Sequence, residues 1–136
     1  MRNGSVGSLD GERIAVGGLA ASGRAAARLA LERGGSVHVS DLRSDTAAHA
    51  RGDELRALGV EVDLGEHPMD RIAMAEIVVV SPGIPPDAPV LTGLRSRGVS
   101  WVSEPEFAIR FYRGSLIAVT GTNGKTTTAV LTAHLL

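Results

Sequence analysis

Short β-branched runs alternate with Ala- and Leu-rich stretches along most of the chain. Residues 13–16 are strand-like, and in residues 23–33 Ala25, Ala26, Leu29 and Ala30 return at helical spacing. Residues 36–40 (SVHVS) predict a second strand and residues 46–58 an exposed helix. Residues 60–64 (VEVDL) alternate as a strand near a sheet edge does. A short helix is predicted over 69–75. Residues 76–81 (EIVVVS) form an unbroken apolar run of buried-strand length, stopped by Pro82 and Gly83. The pattern continues as a helix over 88–97, a strand over 99–102 and a helix over 105–112. A last strand, 115–120 (SLIAVT), meets a glycine loop and a final helix beginning near Lys125.

Alternating βα units of this length predict a parallel sheet with helices on both faces, and right-handed crossovers make it doubly wound. Five strands precede Gly114 and one follows it. The expected organisation is a flexible Gly/Ser-rich lead-in over 1–11, a Rossmann-like domain over 12–113 and the opening of a second, truncated domain over 114–136. Because Leu136 ends the sequence inside an apolar helix, the chain reads as a fragment.

Composition narrows the class. Hydrophobic residues make up 43%, enough for a real core, but aromatics only 3%, so that core is expected from Val, Leu, Ile and Ala. With 14 Lys+Arg against 15 Asp+Glu, the chain lacks the basic excess of a nucleic-acid or anionic-membrane binder, and neither partner is expected. The absence of cysteine removes disulfides, thiolate metal sites and thiol nucleophiles. No apolar run approaches the ~18 residues of a membrane span, and the polar start lacks a signal-peptide core, so a cytoplasmic chain is expected.

Two glycine loops carry the candidate chemistry. Gly17-Gly18-Leu19-Ala20-Ala21-Ser22-Gly23 joins the first strand to the first helix, where backbone N–H groups can receive phosphate. Gly18 and Gly23 match the outer glycines of G-x-G-x-x-G, with Ala20 in the middle place. Asp41 ends the second strand, where an acid usually accepts from a ribose hydroxyl. A dinucleotide and a uridine nucleotide both fit this architecture, and so does a purely structural turn. The second loop runs Thr120-Gly121-Thr122-Asn123-Gly124-Lys125-Thr126-Thr127-Thr128. Its glycines free the backbone to wrap a polyphosphate, Lys125 supplies charge, and the Thr126 hydroxyl can ligate Mg²⁺. The bland alternative is helix capping by Thr122 or Asn123. Ser81-Pro82-Gly83-Ile84-Pro85-Pro86 is either a stiff turn or a ligand loop at the carboxyl edge. His38, His49, His67 and His134 show no metal-ligand spacing and read as core or surface residues, and Trp101 as packing.

Taken in order, Gly18-Leu19-Ala20-Ala21-Ser22-Gly23, Ser40-Asp41-Leu42-Arg43, Ser81-Pro82-Gly83-Ile84, Ser103-Glu104-Pro105-Glu106-Phe107 and the loop from Thr120 to Thr128 resemble the Mur ligases. The resemblance runs from Arg13 to Leu136, with Ala20 where a glycine is common. Ser-Pro-Gly-Ile together with Asn123 points to the branch that adds D-glutamate to UDP-N-acetylmuramoyl-L-alanine, the L-alanine-adding branch being the alternative. It implies a uridine-nucleotide domain, a central ATPase and a C-terminal amino-acid-binding domain. Ala21 and Ser22 would face the UDP phosphates, Asp41 and Arg43 the uridine end, and Gly83 the nucleotide from the neighbouring strand. Gly121, Thr122, Asn123, Gly124, Lys125, Thr126 and Thr127 would hold ATP, with Lys125 catalytic and Thr126 on Mg²⁺. The implied reaction phosphorylates the substrate carboxylate with ATP, and the D-glutamate amine attacks the acyl phosphate. The intact enzyme is expected to be a monomer, and these 136 residues to bind the UDP-substrate without turnover. A stand-alone UDP-sugar-binding module and a nicotinamide-dependent oxidoreductase are the competing readings.

Overall fold

The apolar runs of the first, second and fourth predicted strands lie side by side. A computed structural model describes residues 7–136. In it Val16 pairs with Val39 on one side and Val79 on the other, all three at most 1% exposed. The sheet comprises β1 (Arg13–Gly17), β2 (Ser36–Asp41), β3 (Glu61–Leu64), β4 (Ile77–Val80) and β5 (Val102–Ser103). Every pairing is parallel, in the order β3-β2-β1-β4-β5.

Both faces are covered. Helices α1 (Ala21–Glu32), α2 (Thr46–Arg56) and α5 (Glu104–Ile109) bring Ala26, Ala27, Ala30, Leu55 and Phe107 onto Ile14, Val16, Val37, Val39, Val62 and Val79. Helices α3 (Met69–Ala73) and α4 (Pro89–Ser96) bring Ile72, Val90, Leu91 and Leu94 onto Ala15, Val78 and Val80. The doubly wound five-stranded α/β fold is therefore the predicted one. Alanines on α1 let it lie close to the strands, and Phe107, fully buried and edge-on to Phe111 at 5.1 Å, fills the space beside them.

The strand order reverses between β1 and β4. Helix α1 leads outward from β1 to β2, while the connection after β3 returns to β4 on the other face. The loops after β1 and β4 thus part company and leave a crevice at the carboxyl edge, the usual ligand position of such sheets.

Helices α1, α2 and α4 end in one device. Gly34, Gly59 and Gly98 take left-handed φ values of 88°, 93° and 67°. The next amide then reaches back, as Gly35 N–H does to Ala30 O, Val60 to Leu55 and Val99 to Leu94, at 3.0–3.1 Å. That cap moves the fifth strand. It is predicted over 99–102, but the Val99 amide is occupied in closing α4, and pairing covers Val102–Ser103. Trp101 packs partly buried in the second cluster, with the Arg95 guanidinium 5.3 Å from its ring centre.

Two expectations at the ends need correction. Of the lead-in, residues 1–6 lie outside the described residues, whereas Leu9 is 5% exposed and its N–H donates to Arg33 O at 2.8 Å. The strand expected over 115–120 is not formed: among the described residues nothing there joins the sheet, and Leu116 and Ile117 are 59% exposed. A strand needs a hydrogen-bonding neighbour, and none is offered. Helix α6 (Lys125–Leu135) follows where predicted, with no buried residue. Among the described residues no helix is long and apolar enough to cross a membrane.

Candidate functional site

Strand β1 runs out into Gly17 and Gly18, whose N–H donates to Ser40 O at 2.8 Å as the chain turns into α1. The turn is tight. A Cβ on Gly23 would lie 2.2 Å from the Gly18 carbonyl oxygen, so a side chain at 23 would break the loop–helix contact. Helix α1 begins after Ala20 without a side-chain cap. Its first-turn amides therefore lack an intrahelical partner at the crevice, an arrangement suited to an anion. Ala21 and Ser22 occupy that turn.

Asp41, at the end of β2, is 8% exposed. Its Oδ2 accepts from Leu19 N at 2.7 Å and its Oδ1 from Arg43 N at 2.8 Å, and the Arg43 guanidinium donates to both oxygens at 3.3 Å. Burial alone would raise this carboxyl. The bonds from the Arg43 side chain and from the Arg43 and Leu19 amides outweigh it and hold the group below its ordinary value. The carboxylate thus braces the first glycine loop to the loop after β2. Half of the Arg43 side chain remains exposed.

The loop after β4 closes the other side. Ser81 N–H donates to Gly17 O at 3.3 Å, and Ile84 N–H to Ser81 O at 3.0 Å. Gly83, Ile84 and Pro85 then face Leu42, His67, Met69 and Pro89 across a largely apolar slot of about 400 Å³ that Glu66 also lines. Ala21, Ser22, Asp41, Arg43 and Gly83 are thereby brought to one edge of the sheet, all on loops or first turns at strand ends. The slot also contains His67, which the sequence reading set aside as an ordinary histidine. Its Nδ1 lies 2.8 Å from Ser40 Oγ. Burial lowers its pKa, the Asp41 carboxylate raises it less, and nearby His38 lowers it further. The signal that could have found it is position: like Asp41 and Gly83, it lies at the carboxyl end of a strand.

The second glycine loop is built separately. Gly124, with φ 76°, is the N-cap of α6, and neither Thr122 nor Asn123 caps the helix through its side chain. Thr128 N–H donates to Gly124 O at 2.9 Å, and Lys125 Nζ to Gly121 O at 2.6 Å. Thr122, Asn123, Thr126 and Thr127 are exposed around an uncapped helix start. These residues fit a polyphosphate: free first-turn amides, a cation and hydroxyls lie within one loop.

Comparison with known proteins places the chain in a family. The family model described as "Mur ligase MurD-like, N-terminal domain" matches residues 12–103. A UDP-N-acetylmuramoylalanine–D-glutamate ligase of Desulfatibacillum aliphaticivorans is 43% identical over 128 residues, covering 94% of this chain and 28% of the relative. Its counterpart from Chlorobaculum parvum is 45% identical over 124 residues, covering 91% and 26%. Among solved structures, a murein peptide ligase from Psychrobacter arcticus superposes with a TM-score of 0.66 at 25% identity, covering 90% of this chain and 26% of that one. A UDP-N-acetylmuramate–alanine ligase from Thermotoga maritima gives 0.60 at 27% identity, covering 92% and 29%. The chain spans just over a quarter of the length of the curated relatives it matches.

Proposed function

The chain belongs to the Mur ligases through a MurD-like N-terminal domain, and from that premise we propose that residues 12–113 hold the uridine-nucleotide end of a UDP-linked substrate. The supporting observation is that the loops at 17–23, 41–43 and 81–84 are tied together at one edge of the sheet, through Gly18 to Ser40, Leu19 to Asp41 and Ser81 to Gly17, beside an uncapped helix start. Ala21 and Ser22 take the diphosphate, Arg43 the uridine end, and Gly83 the nucleotide from the β4 side. Asp41 acts at the same end by holding Leu19 and Arg43 in place.

Residues 114–136 open an ATP-binding domain in this reading. Gly121, Thr122, Asn123, Gly124, Lys125, Thr126 and Thr127 surround the phosphates of ATP, with the Lys125 ammonium on their oxygens and the Thr126 hydroxyl on Mg²⁺. When bound, ATP supplies the phosphoryl group that activates the substrate carboxylate. The intact protein then joins D-glutamate to UDP-N-acetylmuramoyl-L-alanine for peptidoglycan, as a cytoplasmic monomer, while these 136 residues bind the UDP portion without turnover.

Chemical-shift mapping with UDP tests the reading. All three loops should respond together. Perturbations confined elsewhere, or none at saturating UDP, would sink it.

A further inference from the structure

His67 and the exposed Glu66 are the polar side chains of a slot otherwise formed by apolar groups such as Leu42, Met69, Ile84 and Pro85. Its proton can be placed from its partner. Ser40 is 1% exposed, and among the described residues its hydroxyl makes no hydrogen bond except with His67 Nδ1, at 2.8 Å. A buried hydroxyl whose hydrogen finds no acceptor is strongly disfavoured. The hydroxyl therefore donates to Nδ1, and the neutral ring carries its hydrogen on Nε2. Burial, which lowers the pKa of this ring, favours that neutral form. Among the described residues Nε2 has no partner of its own, so the ring brings a fixed N–H donor to the slot, where Glu66 is the other polar side chain.

We infer that His67 Nε2–H donates to the oxygen at ring position 4 of a uracil seated in this slot, and so makes the domain choose uracil over cytosine. The inference rests on the uridine end lying here, as proposed above. The slot's volume of about 400 Å³ admits a pyrimidine with part of its sugar between the prolines and Leu42. Uracil presents an oxygen acceptor at ring position 4 where cytosine presents an amino donor. A fixed N–H rewards the first and leaves the second facing another donor, and such mismatches are what discriminate strongly.

The test is calorimetric titration of this chain with UDP and CDP. The unmodified chain should prefer UDP, and His67→Phe, which keeps a planar ring but has no N–H, should lose roughly 10-fold in UDP affinity and bring the two nucleotides level. His67→Gln, whose amide nitrogen can stand near the Nε2 position, should restore the preference. Since His67→Phe leaves Ser40 unpaired, the double variant Ser40→Ala/His67→Phe removes both polar groups and should fold and show the same levelling. Nitrogen shifts of His67 in the unmodified chain should report the Nε2–H tautomer and move with UDP. A UDP-to-CDP ratio unchanged by His67→Phe, or a hydrogen found on Nδ1, overturns the inference. If the loops at 17–23, 41–43 and 81–84 still respond to UDP in that case, the uridine reading stands and the role of His67 alone has failed.

Discussion

Asp41 follows Gly23 by 18 residues, a spacing that points to an acid reading a ribose hydroxyl. The folded chain takes both of its oxygens for itself, through the Leu19 and Arg43 amides and the Arg43 guanidinium. Asp41→Ala should therefore lower stability and UDP affinity together. Leaving the buried Leu19 N–H unpaired costs about 1–3 kcal/mol. Urea denaturation beside calorimetry checks it, and a loss of affinity without a loss of stability would mean that Asp41 serves the ligand directly. His38 and His67 add a pH dependence. Burial lowers both pKa values, and His38 donates Nε2–H to Asp63 at 2.8 Å while its buried Nδ1 has no partner. The unfolded chain binds these protons more readily, so stability should be complete above about pH 6.5 and fall as pH drops below it. Thermal melts from neutral to mildly acidic pH should show that slope. A flat profile would mean that neither ring resists protonation in the fold. At this scale glycines were legible, because Gly18 and Gly23 answer to local geometry. His67 was not, because its chemistry depends on Ser40, a contact the tertiary fold creates.

The alternation of β-branched and Ala/Leu-rich stretches yields every helix and five of the six predicted strands, since burial on both faces of a parallel sheet writes itself as apolar runs. Boundaries were less legible. The cap built by Gly98 and Val99 is a hydrogen-bonding event, and apolar pattern around Val99 cannot distinguish it from the start of β5. Residues 115–120 show the limit more sharply: their composition is that of a strand, but a strand exists only with a partner, and the sheet supplies none. Loop 120–128 then stands between an unpaired segment and a helix with no buried residue. A phosphate loop works when its amides are held convergent by rigid flanks. This chain should therefore bind Mg-ATP far more weakly than UDP, with residues 115–136 exchanging amide hydrogens readily. Strong protection of that segment in a monomer that binds Mg-ATP tightly would reverse the expectation.

Across the whole molecule, formal charge is nearly balanced at −1, which by itself predicts no attraction for an anion. Parallel wiring changes that. Every helix that follows a strand starts at the carboxyl edge of the sheet, and the glycine-terminated ends of α1, α2 and α4 lie toward the opposite edge. Each helix carries a partial positive charge at its start and a partial negative charge at its end. The starts of α1, α2 and α4, which carry no acidic residue in the first turn, therefore set partial positive charge along the carboxyl edge, while Asp70, Glu104 and Glu106 offset it at α3 and α5, and Arg43 there is paired with Asp41. Association with UDP should accordingly weaken as salt rises from about 0.01 M to about 0.15 M, where screening contracts from about 30 Å to about 8 Å. Repulsion between two bodies of like net charge would give the opposite trend, so titration at two ionic strengths tells the cases apart. On the first outcome, a ligand of the same sign as the protein would be drawn in by the direction in which the chain was wound, before any side chain touches it.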